Sequence, residues 1–346
     1  MKKLLISLAY LGFSIAASAH DFAVTQNGQK LYFNITDKSK QTAEVTYGGS
    51  IDSNTPKVYG NIEIPEKVQY EQKVYTITAI GKKAFCNASG LISITFPASV
   101  TQVNDFAFEG CTGLKNVVFS SLQIKFGQGT FFRCTAVEHL TFGSDWTHID
   151  LAIFRWSDQL QEVTIPAKVT KLYNVKKLKG LKRITVDANN SQYMGIDGIV
   201  YSKDEKALLS CPRSYMGMVK VADGTEAVKI GALADCVNVT QVDLPRSMSV
   251  ISFREFNRMS NLQNITLRAE TPMTTARKGA ADVLIFQVAN PNVKIVVPKQ
   301  SVKAYKTAFA KEEGEYLEKS AKATTPYQVL GTELINLKNI IGVKTL

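Results

Sequence analysis

The stretch IGKKAF at Ile80–Phe85, followed by LISITFP at Leu91–Pro97, decides the fold of this chain. Its spacing of apolar residues returns 23 residues later, beginning at Val103, and again at Phe126 and Ile149. Three more units begin at Leu172, Val228 and Ile251, which makes seven in all. Self-similarity at a fixed period of this length is typical of solenoids, so the sequence predicts a stack of short repeated units.

The second half of each unit has the pattern of a strand. Ile94 and Phe96 are two residues apart and therefore face the same side of an extended chain. One such strand cannot bury its apolar face alone, but copies stacked at about 4.8 Å pair their backbones and merge those faces into one core. The pair Ala84–Phe85 is expected to close the core from the opposite wall.

Turn-forming residues separate the two halves of the unit. A proline follows the strand in three units, at Pro97, Pro166 and Pro245. The chain must leave the ladder there and needs no backbone N–H. A glycine precedes the leucine in three units, at Gly90, Gly113 and Gly180. We expect a turn with positive φ at these glycines.

The cysteines fall mostly on one repeat position. The chain has five, at Cys86, Cys111, Cys134, Cys211 and Cys236. The position of Cys111 is filled by Ala88, Ser157 or Met259 in other units, which indicates a packing position with buried, inert thiols. Cys111 and Cys134 would lie on adjacent units within disulfide distance, but stacked side chains point the same way, so a bond is the alternative reading. An odd number leaves at least one thiol unpaired within the chain.

The repeat resembles a known family. Its consensus, I-G-x-x-A-F-x-x-C-x-x-L-x-x-I-x-I-P-x-S-V-T-x-I, is similar to that of the BspA-like leucine-rich repeat proteins of bacterial surfaces. The best matches are Ile80–Phe85 and Phe96–Val103, and the likeness covers roughly residues 75–305. The resemblance implies an α/β-class leucine-rich repeat solenoid, β-rich, with about 23-residue repeats and little regular helix. It also implies an adhesin or host-interaction role, although a scaffold is inherited more directly than a ligand.

The repeats divide the chain into six segments. These are a signal peptide (1–19), an N-terminal β cap (20–76), five repeat units (77–186), a hairpin-bearing insertion (187–227), two further units (228–270) and a C-terminal cap (271–346). The insertion has two apolar runs separated by the polar turn Lys203–Lys206, which is a hairpin signal. In the C-terminal cap, Ser301 is expected to cap a helix from Val302 to about Phe309.

The first residues predict export. Lys2 and Lys3 precede the apolar stretch Leu4–Ile15, and Ala17–Ala19 fits a small-x-small cleavage site, so cleavage after Ala19 is expected. No later stretch reaches the roughly 18 apolar residues that a membrane-spanning helix needs. We expect a protein at the cell surface or in the extracellular space, with the periplasm as the alternative.

The chain is basic and carries a local run of cations. Removal of residues 1–19 lowers the formal net charge only from +11 to +9. Within Lys176–Arg183, the candidate basic patch is Lys176, Lys177, Lys179 and Lys182. Such a patch can dock an acidic glycan or an anionic envelope surface, and the alternative is a solvated loop. Export and the absence of interleaved aromatic residues argue against nucleic acid.

The repeat also defines an outward-facing column. Residues that flank the central apolar residue of each strand point away from the core. The polar and variable column is the candidate ligand face, with Asn116, His139, Glu162, Arg183, Gln241 and Asn264. The alternative is an ordinary solvated sheet face.

No catalytic constellation is present in the sequence. The three histidines, His20, His139 and His148, form no HExxH motif, and no GxSxG, Walker or GxGxxG motif has the right context. We predict no catalytic, cofactor-binding or metal-binding residues. The expected function is non-enzymatic recognition of a host protein or glycan. The alternative is a structural or assembly module in the cell envelope that binds another bacterial protein, and the sequence leaves the oligomeric state open.

Overall fold

The structure is a computed structural model that describes residues 20–48, 58–120, 123–251, 255–256, 258–275, 287–290, 292–308, 333–334 and 340–343. The predicted signal peptide lies outside the described residues, as does the charged segment 311–322. Within the described ranges, no helix is both long enough and apolar enough to cross a membrane.

Short strands make up most of the described chain. The N-terminal strands are β1 (Phe22–Gln26), β2 (Gln29–Asp37), β3 (Thr42–Thr46), β4 (Gly60–Glu63), β5 (Lys67–Tyr70) and β6 (Lys73–Ile80). The first repeat block holds β7 (Leu91–Phe96), β8 (Gln102–Val103), β9 (Asn116–Phe119), β10 (Lys125–Phe126), β11 (His139–Phe142), β12 (His148–Asp150), the 3-10 helix η1 (Leu151–Phe154), β13 (Glu162–Ile165), β14 (Lys171–Tyr173), the 3-10 helix η2 (Val175–Lys177) and β15 (Arg183–Val186).

The remaining elements continue the same alternation. The insertion holds β16 (Tyr193–Ile196), β17 (Ile199–Ser202), β18 (Ala207–Ser210) and β19 (Gly217–Lys220). The last part holds β20 (Ala227–Val228), β21 (Val239–Leu244), β22 (Val250–Ile251), β23 (Asn264–Leu267), β24 (Thr274–Thr275), β25 (Gln287–Val288), β26 (Lys294–Pro298), the 3-10 helix η3 (Lys299–Ser301), β27 (Glu333–Leu334) and β28 (Ile340–Val343). Residues 302–308 are helical, as expected, but Ser301 does not cap this helix, because it is the last residue of η3, which leads directly into it.

The longer strands form three successive parallel sheets along one side of the solenoid, which together we call the long-strand wall. It runs β4–β7–β9–β11, then β13–β15, then β19–β21–β23–β26–β28. The register keeps repeat positions aligned, because Ile94 lies opposite Val117 and Val117 lies opposite Leu140. The predicted solenoid with a shared core is therefore confirmed.

The shorter strands form a second parallel wall. It runs β6–β8–β10, then β12–β14, then β18–β20–β22–β24. Here the start of each unit is aligned with the next, so Ile80 lies opposite Val103 and Val103 opposite Phe126. The antiparallel strands β1–β2–β3 join this wall through β6, while β4 joins the long-strand wall. The ladder thus extends into the segment assigned to the N-terminal cap.

Aromatic side chains fill the space between the walls. Phe85, Phe108, Phe131 and Phe154 stack at ring-centroid distances of 5.0, 5.1 and 4.6 Å. A second stack, which descends from the long-strand wall, joins Phe96 to Phe119 at 5.1 Å. All six of these rings are almost completely buried. Each ring therefore contributes the few kcal/mol typical of a fully buried apolar side chain.

The expectation for the glycines before the leucine is wrong. Gly90, Gly113 and Gly180 do not have positive φ. A Cβ on Gly180 would instead overlap the Asp158 carbonyl oxygen, and one on Gly113 would overlap Ser89, so these glycines allow adjacent coils to approach closely. The left-handed residue of the turn lies two positions after the buried Phe or Leu. It is Asn87, Gly110, Arg133, Asp235 or Arg258, according to the unit.

The insertion continues both walls. Strands β16, β17 and β18 form an antiparallel meander, with the polar turn at 203–206 between the last two. Strand β18 then pairs in parallel with β20, and β19 pairs in parallel with β21. The buried core divides into two clusters that meet here, because Val200 packs into the first cluster while Ile199 and Tyr201 pack into the second.

A buried asparagine fixes the entry to this insertion. The Asn190 side chain is fully buried and donates to the carbonyl oxygens of Pro166 and Val169 at 2.8 and 2.9 Å. Its own oxygen accepts from the backbone N–H groups of Gln192 and Tyr193 at 2.9 and 2.8 Å. One side chain therefore satisfies four backbone groups at the point where the repeat register is interrupted.

Candidate ligand-binding surfaces

The predicted outward column is assembled in part. Asn116 lies opposite His139, and Glu162 lies opposite Arg183, so the first block presents neighbouring polar residues on the long-strand wall. Arg183 Nε is 3.7 Å from Glu162 Oε1, and both side chains are mostly exposed. A pair of this kind is worth at most about 1 kcal/mol, because solvent screens it. The charges of this column thus largely compensate one another.

The insertion divides the column. Gln241 lies opposite Asn264, but the position before Gln241 is Met218 from β19, and it is 48% exposed. On the other side, the turn at Gly198 packs against Arg183. The six candidate residues therefore form two groups rather than one continuous face.

A cavity of about 510 Å³ lies on the turn side of the solenoid, where the coils pass from the short-strand wall to the long-strand wall. We call it the basic cavity. Its lining residues are Arg155, Trp156, Lys176, Lys177, Lys179, Arg213, Asp235 and Arg258. Three of the four lysines of the predicted basic patch are among them, and Lys182 is not.

Local packing explains why the lysines of this run point into the cavity. Val175 and Leu178 are buried on the core side of η2, at 6% and 0% exposure. The intervening Lys176 and Lys177 therefore turn outwards, and Lys179 follows Leu178 outwards in the same alternation. Lys176 is fixed further, because its Nζ donates to the Ala234 carbonyl oxygen at 2.8 Å.

The other cations come from neighbouring coils, and sequence reasoning missed them. Arg155 directly follows η1, Arg213 follows the exit of the meander, and Arg258 occupies the left-handed position after Phe256. The position two residues after each buried aromatic residue is outward-facing and reads Arg133, Trp156 and Arg258 in three units. This column includes Trp156 and Arg258 of the lining, but no repeat position marks Arg155 or Arg213.

The cavity has a strong positive excess. Six cationic side chains face one carboxylate, which gives five formal positive charges in excess. The carboxylate is already occupied, because Arg258 Nη2 donates to Asp235 Oδ2 at 3.1 Å and Arg258 Nε lies 2.7 Å from Oδ1. The remaining cations have no carboxylate within the described lining to neutralise them, so the cavity attracts anions.

One exposed aromatic ring completes the lining. Trp156 is 42% exposed, and its indole lies T-shaped to the Phe132 ring at a centroid distance of 5.4 Å. The Arg155 guanidinium lies over the same indole, 5.5 Å from the ring centroid. The ring is held in place by its neighbours and offers an apolar platform beside the cations.

The cysteines occupy the interior, as expected. All five are buried and in the reduced form. The Cys111 and Cys134 thiols donate to the carbonyl oxygens of Phe85 and Phe108 at 3.1 and 3.0 Å. Among the described residues, no group of three or more His, Cys, Asp or Glu side chains is placed to hold a metal ion.

Comparisons with known proteins agree with this architecture. The family model for the BspA-type leucine-rich repeat region matches residues 60–191 and 213–313 with six copies. No curated protein sequence matches the chain. At low sequence identity, likeness to a solved structure concerns the fold alone.

Several solved structures are similar to the chain. A leucine-rich repeat protein from Bacteroides ovatus is 18% identical, with 80% of this chain and 71% of that chain covered and a TM-score of 0.50. The pneumococcal vaccine antigen PcpA is 18% identical, with 84% and 96% covered and a TM-score of 0.45. A leucine-rich cell surface protein from Faecalibacterium prausnitzii is 20% identical, with 81% and 90% covered and a TM-score of 0.41.

Proposed function

Because the chain belongs to the BspA-type leucine-rich repeat family, we propose that it is a non-enzymatic binding protein exported to the cell surface or the extracellular space. Repeat scaffolds of this kind present extended recognition surfaces. The basic cavity is its ligand site, and the ligand is an acidic glycan. The single observation that carries this proposal is the convergence of six cationic side chains from several coils on one concave site.

The chemistry of the lining favours an anionic polymer of sugars. Arginine guanidinium groups bind sulfate and carboxylate groups through paired N–H donors, and lysines add point charges. Arg155 and Arg213 can supply such forks, and Lys177 and Lys179 can supply the point charges. Trp156 provides the apolar face on which a sugar ring can lie. Sulfated or uronic-acid glycans combine these two features.

The size of the cavity fits a segment of such a polymer. Small-ligand sites typically enclose about 300–1,000 Å³, and the basic cavity has about 510 Å³. A short stretch of glycan can therefore occupy it while the rest of the polymer continues along the solenoid surface. Electrostatic attraction of this kind weakens with added salt, since exposed charges are screened within about 8 Å at physiological ionic strength.

Charge reversal inside and outside the cavity tests the proposal. The cavity variant carries Lys177→Glu, Lys179→Glu and Arg213→Glu, and the control carries Lys182→Glu, Lys220→Glu and Lys303→Glu. Both change the net charge equally. At about 1 kcal/mol per cation, the cavity variant should bind an immobilised sulfated glycan at least about 100-fold more weakly, measured by biolayer interferometry. An equal loss in both variants would reject the cavity as the site.

A protein partner is the second candidate function. Met216 and Met218 are 66% and 48% exposed beside the divided outward column. Exposed methionines adapt to apolar protein surfaces, so this region suits an envelope protein or a host matrix protein. Pull-down with the whole chain from envelope extracts and from host matrix, with Met216→Ser and Met218→Ser as the matched variant, separates the two sources.

Export is tested independently of the ligand. The predicted leader at 1–19 should be absent from the protein recovered outside the cytoplasm, so its N-terminus should be His20. Protease treatment of intact cells should then degrade the protein, if it lies on the surface. Survival of the full chain in treated cells, with Met1 retained, would contradict export to the surface.

A further inference from the structure

Two cysteines meet directly beneath the basic cavity. Cys211 ends the meander and Cys236 lies in the next coil, and both are fully buried. Cys236 Sγ accepts a contact of 3.1 Å from Lys176 Nζ, whose other hydrogen bond goes to the Ala234 carbonyl oxygen. Lys176 and Asp235 line the cavity, so the thiol pair lies immediately behind its floor.

A second cysteine pair in the same chain lacks this feature. Cys111 and Cys134 occupy the same repeat position on adjacent coils, and each thiol donates to a backbone carbonyl oxygen at about 3 Å. Cys236 Sγ likewise donates to a backbone carbonyl oxygen, that of Pro212, at 3.4 Å. What distinguishes Cys236 is the additional contact of its sulfur with the Lys176 ammonium group.

The electrostatics of the two thiols differ. A hydrogen bond from Cys211 and the nearby Lys176 charge lower the pKa of Cys236, against opposing contributions from burial and from Asp235. Burial is the main cause that raises the pKa of Cys211. In the first pair, the pKa of Cys111 is raised by its hydrogen bond with Cys134 and by burial. Thiolate character is therefore concentrated on one sulfur of the second pair.

We propose that Cys236 is an oxidation site for small hydroperoxides and that Cys211 is its resolving thiol. The basic cavity gives a small oxidant access to the thin layer formed by Lys176 and Asp235. Lys176 Nζ lies 3.1 Å from the Cys236 sulfur, so its positive charge stabilises the thiolate. Cys211 Sγ and Cys236 Sγ lie 3.7 and 3.4 Å from the same Pro212 carbonyl oxygen, so the two sulfurs are neighbours and Cys211 can approach the oxidised sulfur.

The reaction has two balanced steps. The Cys236 thiolate attacks the distal oxygen of the hydroperoxide, so an S–O bond forms, the O–O bond breaks, and the leaving alkoxide takes up the proton that Cys236 released on ionising. The Cys211 sulfur then attacks Cys236, so an S–S bond forms and the S–O bond breaks, while hydroxide leaves with the Cys211 proton as water. Two thiols become a disulfide, and the hydroperoxide becomes an alcohol and water.

The test compares the two cysteine pairs within one molecule. The full chain is reduced, freed of reductant, exposed to hydrogen peroxide for increasing times, and then mapped by mass spectrometry without reduction. We expect a Cys211–Cys236 linked peptide to form at least about tenfold faster than any Cys111–Cys134 peptide, since the Lys176 ammonium group contacts Cys236 and lowers its pKa. Equal rates for both pairs, or oxidation of Cys111 first, would overturn the proposal.

Variants separate the roles of the three side chains. In Cys211→Ser the reaction should stop at Cys236 sulfenic acid, which dimedone traps, whereas Cys236→Ser should trap nothing at position 211. Lys176→Met should slow the oxidation several-fold, and Lys176→Arg should restore most of the rate because it keeps a cation. If circular dichroism shows that Lys176→Met is folded and its oxidation rate is unchanged, Lys176 does not activate Cys236. None of these outcomes depends on glycan binding.

Discussion

Lys176 Nζ donates a hydrogen bond of 2.8 Å to the carbonyl oxygen of Ala234, although 58 residues separate the two in the chain. The meander and β19 lie between them in sequence, so this contact ties the fifth repeat unit directly to the first unit after the insertion. The same lysine lines the basic cavity and touches Cys236. The basic cavity and Cys236 therefore both lie where the insertion interrupts the repeat register.

Loss of this tie should lower stability modestly. In Lys176→Met the Ala234 carbonyl oxygen loses its side-chain donor, and a hydrogen bond with a charged donor is worth about 1.5–3 kcal/mol. Because Lys176 is only half-buried, we expect about 1 kcal/mol, measured by urea unfolding. Lys177→Met is the matched control, since its side chain is exposed. A larger loss in the control would contradict the role assigned to Lys176.

Asn190 should be much more important for stability. Asn190→Ala leaves two carbonyl oxygens and two backbone N–H groups without their present partner, so we expect a loss of about 2–4 kcal/mol in the free energy of unfolding. The adjacent exposed Asn189→Ala should cost less than about 0.5 kcal/mol. Similar thermal midpoints for the two variants would show that the register change does not depend on this side chain.

The aromatic stack should respond to truncation at its centre. Phe108 is fully buried and lies between Phe85 and Phe131 at about 5 Å from each, so Phe108→Ala should cost about 3–5 kcal/mol. Phe132→Ala removes a partly exposed ring of the same size and should cost clearly less. Urea unfolding of both variants measures the difference. Equal losses in the free energy of unfolding would mean that the stacked rings stabilise the core no more than a partly exposed ring does.

The oxidation of Cys236 should depend on pH in a defined direction. Among the titratable groups that act on this thiol, Cys211 and Lys176 lower its pKa and Asp235 raises it, and the net result, with burial opposing, is a pKa of about 7. Its rate with peroxide should therefore fall only as pH drops below this lowered pKa, and Lys176→Met should move the midpoint upwards. Dimedone trapping in the Cys211→Ser background, followed across pH, measures both midpoints. A midpoint that is the same with and without Lys176 would contradict the electrostatic explanation.

Much of the fold follows from repeat spacing alone. Positions such as Ile94 and Val117 recur with period 23, and parallel stacking is the arrangement that buries all of them together, so the long-strand wall was predictable. The role of Gly180 was not, because a spacing shows where a glycine recurs but not whether it serves positive φ or close approach of two coils. That distinction depends on the distance to Asp158 in the neighbouring coil.

The candidate site was predictable only in part. The run that contains Lys177 and Lys179 is visible in the sequence because its cations are consecutive. Arg213 and Arg258 join these lysines in the cavity lining only because the coils stack. Lys182 belongs to the same run in the sequence but does not line the cavity. The insertion separates Arg258 from Lys179 by many residues, so no local pattern could bring them together. The same insertion divides the outward column of polar residues, which repeat spacing alone predicts to be continuous.

The most direct test of the central claim is lysine protection by a bound sulfated glycan. The full chain is acetylated briefly with and without a saturating amount of the glycan, and the modification of each lysine is measured by mass spectrometry. We predict that Lys177 and Lys179 become protected while Lys182 and Lys220 remain as reactive as in the free protein. Protection of Lys182 and Lys220 without protection of Lys177 and Lys179 would contradict the assignment of the basic cavity as the ligand site.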